Sequence, residues 1–262
     1  MKLKPNKKLG QNFLIDKNVI KKICNFAYID KNSDLLEIGP GTGNLTQELL
    51  NKKPKHFYVI EKDKNLSESL KQKFQNKIKI FNNDILTFPL EKILNNRTIV
   101  FGNLPYNISS KILTRFILNH NTYKFKLLIF MFQKELANRI IAKINKSDYG
   151  RLTVLSNWRL NIQKIMDISS GSFYPKPKVE SSLLVFSPKK DYVIFKNANS
   201  LEEVTRIIFN ERRKKIRNRI NRLFNYNDKI VKKININLNL RPQNLCPEEY
   251  FSLAKEYEKL RK

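Results

Sequence analysis

The sequence predicts an α/β protein, a mostly parallel sheet covered by helices and followed by a small all-helical domain. Three observations carry this. Short continuous apolar runs alternate with amphipathic segments from about residue 35 to residue 145. A glycine-rich loop joins the first of those runs to the next helical segment. After about residue 190 helical patterns dominate. Strands of a parallel sheet are buried on both faces, so they read as unbroken apolar runs. The expected domains are residues 1–190 and 191–262.

Residues 1–15 are basic and polar and read as an extended arm. Asp16 is placed to cap a helix over about 17–28, with Val19, Ile20, Ile23 and Phe26 at helical spacing. "LLEI" (35–38) is a strand and "NLTQELLNK" (44–52) a helix. "FYVIE" (57–61) is a strand and "NLSESLKQKF" (65–74) a helix. "IKIFN" (78–82) and "TIVFGN" (98–103) are the next strands, and "SSKILTRFILN" (109–119) is helical. "KLLIFMFQ" (126–133) is a strand, "KELANRIIAKI" (134–144) a helix and "SSLLVFSP" (181–188) a late strand. In the second domain, residues 201–224 read as one helix and 247–260 as another, with Pro247 at a first-turn position.

Composition narrows the partners. The net charge is +28, from 51 Lys and Arg against 23 Asp and Glu. Such an excess favours a polyanion, nucleic acid ahead of an anionic membrane. A codon bias toward Lys, Asn and Ile would raise Lys but does not readily explain so few acids. No apolar run approaches the roughly 18 residues of a membrane span. The first 20 residues lack the apolar middle of a signal peptide, so a cytoplasmic protein is expected. Two cysteines and two histidines are poor material for a disulfide framework or a metal site, and neither is expected.

The loop after the first strand carries Gly39, Gly41 and Gly43, preceded by the acidic Glu37. Glycine lets the backbone turn sharply and lets a ligand approach the main chain. Glu61 ends the second strand, where a carboxylate can accept from two ribose hydroxyls. Asp84 follows the third strand and can reach the edge of an adenine ring. Ligands of open α/β sheets sit at the carboxyl ends of strands. Loop and acids together point to an adenosine-containing cofactor.

These residues resemble the class I S-adenosylmethionine-dependent methyltransferases, whose Rossmann-like fold holds a seven-stranded, mostly parallel sheet. The likeness narrows further. "LGQNFL" (9–14), "EIGPGTGNLT" (37–46), "VIEKD" (59–63), "NDIL" (83–86), "NLPYNISS" (103–110), "QKELANRI" (133–140), "YGRLTV" (149–154), "FYPKPKVESS" (173–182) and "FNERRKKIRN" (209–218) resemble the KsgA branch of the KsgA/Erm family. Members of that branch dimethylate N6 of two adjacent adenines in the 3′-terminal hairpin loop of small-subunit (16S) rRNA. Erm members share the core but usually carry Ile after the motif's Asn. Leu104 and "PKPKVESS" favour KsgA. In "DISSGSF" (167–173) the chain departs from the Val-Pro usual at Ile168-Ser169.

The resemblance implies S-adenosyl-L-methionine as cofactor, bound around Asn12, Leu14, Gly39, Gly41, Glu61, Asp84, Ile85 and Asn103. It implies small-subunit rRNA, within a ribosomal subunit or its assembly intermediate, as partner of a monomeric enzyme.

The chemistry explains Asn103-Leu104-Pro105-Tyr106. The N6 amine of adenine is a poor nucleophile because its lone pair is delocalised into the ring. Two acceptors on its hydrogens turn that lone pair outward. The Asn103 side-chain oxygen and the Leu104 carbonyl supply them, and Pro105 holds Leu104 extended and offers no competing N–H. Tyr106 presents a ring face to the base, at about 1–3 kcal/mol per stacked base. Phe173 is the candidate for the opposite face.

From Arg206 to Arg222 there are eight basic residues and one acid, Glu211. Arg212, Arg213, Lys214 and Arg217, with Lys7 and Lys8 of the arm, are expected to contact rRNA phosphates, which position an enzyme without reading sequence.

Overall fold

The computed structural model describes residues 5–6, 10–226 and 232–260. The arm ends in a two-residue strand, β1 (Phe13–Leu14), before helix α1 (Lys17–Phe26). Asp16 caps α1 by accepting from the N–H groups of Asn18 and Val19. The alternating run follows as β2 (Asp34–Ile38), α2 (Asn44–Leu50), β3 (His56–Glu61), α3 (Lys64–Phe74), β4 (Lys79–Asn82), β5 (Thr98–Asn103), α4 (Ser109–Leu118), β6 (Leu127–Gln133) and α5 (Lys134–Ile140). Then come α6 (Arg151–Arg159), β7 (Leu160–Ile168), β8 (Phe173–Tyr174), β9 (Ser181–Pro188), α7 (Asn199–Phe209), α8 (Arg217–Leu223) and α9 (Pro247–Leu260).

Seven strands form one sheet in the order β4-β3-β2-β5-β6-β9-β7. β2 pairs in parallel with β3 on one side and β5 on the other, while β9 runs antiparallel to β6. All five residues of β2 are buried, as an apolar central strand requires. The chain travels outward from β2 to β4, then returns to β5 on the far side of β2. That reversal opens a crevice at the carboxyl ends of β2 and β5, the switch point where ligands bind in open sheets. Ile38 lies opposite Gly102 in the register, so the loops after β2 and β5 leave the sheet side by side.

Residues divide into two compact units, and the division corrects the single boundary expected at residue 190. Unit one holds 1–116, 120–137 and 163–188, and unit two holds 117–119, 138–162 and 189–262. Residues 138–162 join the C-terminal unit because α6 packs on α7 and α9. Phe209 of α7 stacks on Tyr250 of α9 with centroids 5.3 Å apart. Buried Arg159, at the end of α6, donates to the carbonyls of Ile117 and Leu118, and its guanidinium lies 3.7 Å from the Trp158 ring centroid.

The helix expected over 201–224 is two helices. The chain leaves α7 at Asn210 and re-enters a helix only at Arg217. Within the break, Arg212 donates to the Ser147 and Tyr149 carbonyls, and the Ile216 N–H donates to the Leu240 carbonyl. Those bonds compete with helix continuation. Among the described residues no helix is long and apolar enough to cross a membrane.

Candidate active site

A cavity of about 220 Å³ opens at the switch point, walled by residues 10–14, 37–42, 60–62, 83–86 and 103–108. Asn12, Leu14, Gly39, Gly41, Glu61, Asp84, Ile85 and Asn103 all line it, as do Leu104, Pro105 and Tyr106. Residues as far apart as 39 and 103 are thus brought together by the crossing order of the strands, and the pairing of β1 with β8 adds the arm.

Gly41 has φ +58, and a Cβ there would lie 2.6 Å from the Phe13 ring. The glycine therefore serves both a left-handed turn and a close approach by the arm. Glu61 ties this loop to β3: one carboxylate oxygen accepts the Gly41 N–H at 3.3 Å and the other accepts the Asp63 N–H at 2.9 Å. Burial raises its pKa and those N–H groups oppose the rise. Each oxygen keeps a further lone pair for a hydroxyl. Asp84 accepts from Lys62 Nζ at 2.8 Å and from the Leu86 N–H at 2.9 Å, and the Lys62 bond holds its carboxyl below the usual range.

Glu37 is 1% exposed, and among the described residues its Oε2 has no partner. Burial, with the Glu61 carboxylate adding to it, pushes its pKa up to about 8. An orphaned acid on a cavity wall fits a ligand that brings a cation or an N–H donor. S-adenosyl-L-methionine, with an ammonium and a sulfonium, meets that description.

Asn103 has a fixed orientation. Its Nδ2 donates to the Asn12 carbonyl at 2.7 Å. A carbonyl only accepts, so the amide is unambiguous and Oδ1 is left facing away as an acceptor. Leu104 is 1% exposed and packs back over Gly102, where an added Cβ would lie 2.5 Å from Leu104 Cδ2. Among the described residues nothing donates to the Leu104 carbonyl or to Asn103 Oδ1. The half-buried Tyr106 ring ends in a 2.8 Å hydrogen bond between its hydroxyl and that of Ser181.

Phe173 stands elsewhere. It is 2% exposed, belongs to the core with Leu14 and Ile168, and does not line the cavity. It pairs with Leu14 across β1 and β8. Burying such a ring contributes about 1.5–3 kcal/mol, which makes it a core anchor for the arm in this structure, not an exposed clamp face.

Sequence reasoning missed several supports. Gln11 donates to Asp63 at 3.0 Å, and Asn44 donates to the Leu14 carbonyl at 2.9 Å. Arg115 of α4 donates to the carbonyls of Ile85 and Phe88 and so anchors the loop after β4. Gln11 sits inside "LGQNFL" and was open to notice. Ser181 sits inside "FYPKPKVESS" and was equally open to notice, whereas Arg115 carried no signal in its own neighbourhood.

Of the basic residues, Lys7 and Lys8 lie outside the described residues. Arg212 is corrected: its guanidinium donates at 2.6 Å to each of the Ser147 and Tyr149 carbonyls, so its first task is to hold the turn. Arg213 is exposed, as are Lys214, which pairs with Glu211 at 2.9 Å, and Arg217, which is 3.4 Å from Asn239. Buried Arg219 also bridges Glu211. Two open clefts flank this turn, one of about 610 Å³ beside Arg213 and one of about 480 Å³ beside Lys215, Arg217 and Arg222.

Comparison with known proteins agrees with this geometry. The model of the family described as ribosomal RNA adenine dimethylase matches residues 2–259. The chain is 51% identical over 262 residues to the ribosomal RNA small subunit methyltransferase A of Pelagibacter ubique (strain HTCC1062), covering 100% of both chains. It is 38% identical over 259 residues to the protein of that name from Wolbachia sp. subsp. Drosophila simulans (strain wRi), covering 98% of this chain and 94% of the other. Among solved structures, a dimethyladenosine transferase from Plasmodium falciparum superposes with a TM-score of 0.81 at 25% identity, over 94% of this chain and 98% of that one. The 23S rRNA methyltransferase ErmE shares the fold, with a TM-score of 0.66 at 23% identity over 96% of this chain and 100% of the other.

These findings bear out the methyltransferase fold, S-adenosyl-L-methionine as cofactor and the KsgA-type resemblance. From the arm to the last helix, this chain belongs to the ribosomal RNA adenine dimethylase family.

Proposed function

We propose that the chain dimethylates N6 of two adjacent adenines in the 3′-terminal hairpin loop of small-subunit (16S) rRNA, acting as a cytoplasmic monomer on a small subunit or its assembly intermediate. One observation carries the site chemistry: among the described residues, Asn103 Oδ1 and the Leu104 carbonyl stand unpartnered at the rim of one cavity. The relatives' shared name supports the small subunit over the large one.

S-adenosyl-L-methionine supplies an electrophilic methyl on positive sulfur. Gly39, Gly41, Glu61, Asp84, Ile85, Asn12 and Leu14 would hold it. Asn103 Oδ1 and the Leu104 carbonyl each accept one N6 hydrogen and turn the amine lone pair outward. Tyr106 gives the base a face to stack on, and the target adenine leaves its own stack to reach it. No strong base is required, because the amine becomes acidic only once alkylated. Its proton passes to water or to an acceptor already in place. Catalysis then rests on positioning and on fixed dipoles. Arg213, Lys214 and Arg217 face solvent and would meet rRNA phosphates in sequence-independent contact, to which Lys7 and Lys8 of the arm would add.

The test is to incubate the protein with labelled S-adenosyl-L-methionine and under-methylated small subunits, and to map the labelled nucleotides. Dimethyladenine at two adjacent positions near the 3′ end is expected, with turnover abolished and RNA affinity retained in Asn103→Ala. Label confined to large-subunit RNA would defeat the reading.

A further inference from the structure

We infer that Ser181 is a positioning residue for the reaction, anchoring the Tyr106 ring on which the target base stacks. The inference rests on the base-platform reading of Tyr106 given above.

Tyr106 sits on the loop between β5 and α4, and it lines the cavity. Its ring has no aromatic partner among the described residues. A ring on a loop is a useful platform only if its direction is set before the base arrives, since ordering it during binding costs free energy. The tether is at the tip. Tyr106 Oη and Ser181 Oγ are 2.8 Å apart, which fixes the long axis of the ring.

Ser181 suits that task. It is fully buried and does not line the cavity, so it stands behind the ring and not beside the ligand. It is the first residue of β9, opposite Gln133 at the end of β6. The residues around it are locked. The Lys134 N–H donates to the Glu180 carbonyl at 2.9 Å, and Lys134 Nζ bridges the Glu180 carboxylate at 2.6 Å and Asp167 at 3.5 Å. Ser182 donates to Asp167 at 2.6 Å. A buried hydroxyl with no partner would cost more than an alanine there. The partner Ser181 has is the phenol of the cavity wall.

Four variants of the full chain decide the matter, read by methyl transfer to under-methylated small subunits. Ser181→Ala and Tyr106→Phe each remove the same hydrogen bond from opposite ends. Each should lower kcat/KM about tenfold, mostly in kcat, with the cofactor dissociation constant unchanged. The double variant should be no worse than either single one, the signature of a shared contact. Additive decreases near a hundredfold in the double variant, or full turnover in Ser181→Ala, would overturn the assignment. If Ser181→Ala does not fold, Tyr106→Phe alone decides, and full turnover in it overturns the assignment equally. Tyr106→Ala separates the platform from its tether. Retained turnover there removes the base platform itself, whereas abolished turnover there with normal Tyr106→Phe leaves the platform standing and removes Ser181.

Discussion

A carboxyl group sealed from water with one oxygen unpartnered, as in Glu37, favours its protonated form, and that preference is coupled to folding. Its pKa rises from the usual 4.5 to about 8 through burial. Between those values the folded chain keeps a proton that the unfolded chain has released, so stability falls as pH rises across the window. Glu37→Gln removes the dependence. The variant without cofactor should be more stable than the parent at pH 8, by something on the order of 1–3 kcal/mol, and nearly equal to it near pH 5. Thermal melts at the two pH values check this. An equal shift at both would mean that packing, not charge, is responsible. The same variant should bind S-adenosyl-L-methionine more weakly, because an amide cannot ionise to meet the ligand's cation.

At the scale of elements, the arm and the glycine loop act together. β1 pairs with β8 through Leu14 and Phe173, Phe13 closes on Gly41, and the Asn12 carbonyl orients Asn103. Gly41→Ala should therefore displace the arm and lower cofactor affinity at least tenfold in a calorimetric titration. Gly39→Ala is the control, since its Cβ would meet nothing nearer than 3.8 Å although its φ is also positive, at +66. Equal decreases in the two would assign the effect to backbone strain. The strands of the central sheet were legible because parallel strands bury both faces. Every residue expected to bind the cofactor lay at the end of such a strand or inside a motif, so the cavity wall was legible too. α6 and β7 were not. Thr153, Val154, Leu155, Ser156, Trp158 and Arg159 are all buried, so α6 shows no amphipathic stripe, and β7 alternates only weakly. Phe173 misled because a motif fixes a residue type without fixing which side of a two-residue strand it faces. The break after Phe209 depends on carbonyls of Ser147, Tyr149 and Leu240, which no local pattern could reveal.

Taken as a whole molecule, the chain carries +28 charges, and the structure sorts part of them by duty. Arg212, Arg219 and Arg159 are committed to carbonyls or to Glu211 inside the second unit. Arg213 and Arg217 project into solvent. Replacing those two together should reduce the salt dependence of RNA binding by about 0.7–0.9 in log–log slope for each phosphate no longer neutralised, with melting temperature unchanged. Arg212→Ala should do the reverse, lowering melting temperature while leaving most of the slope. Binding isotherms over a salt series distinguish the two duties, and an unaltered slope in the double variant would leave both arginines without an RNA role.

The tether between Asn103 and the Asn12 carbonyl has a consequence for how the reaction ends. Because that tether fixes which way Oδ1 faces, the proposed grip on the amine consists of two acceptor oxygens, Asn103 Oδ1 and the Leu104 carbonyl. An unmodified adenine offers two hydrogens to them, a monomethylated one offers a single hydrogen, and the dimethylated base offers none. Each turnover thus removes one of the handholds that made it possible. On that reading the finished product faces two lone-pair-bearing oxygens with no donor left, so the site would let go of its product by the same contacts with which it seized the substrate.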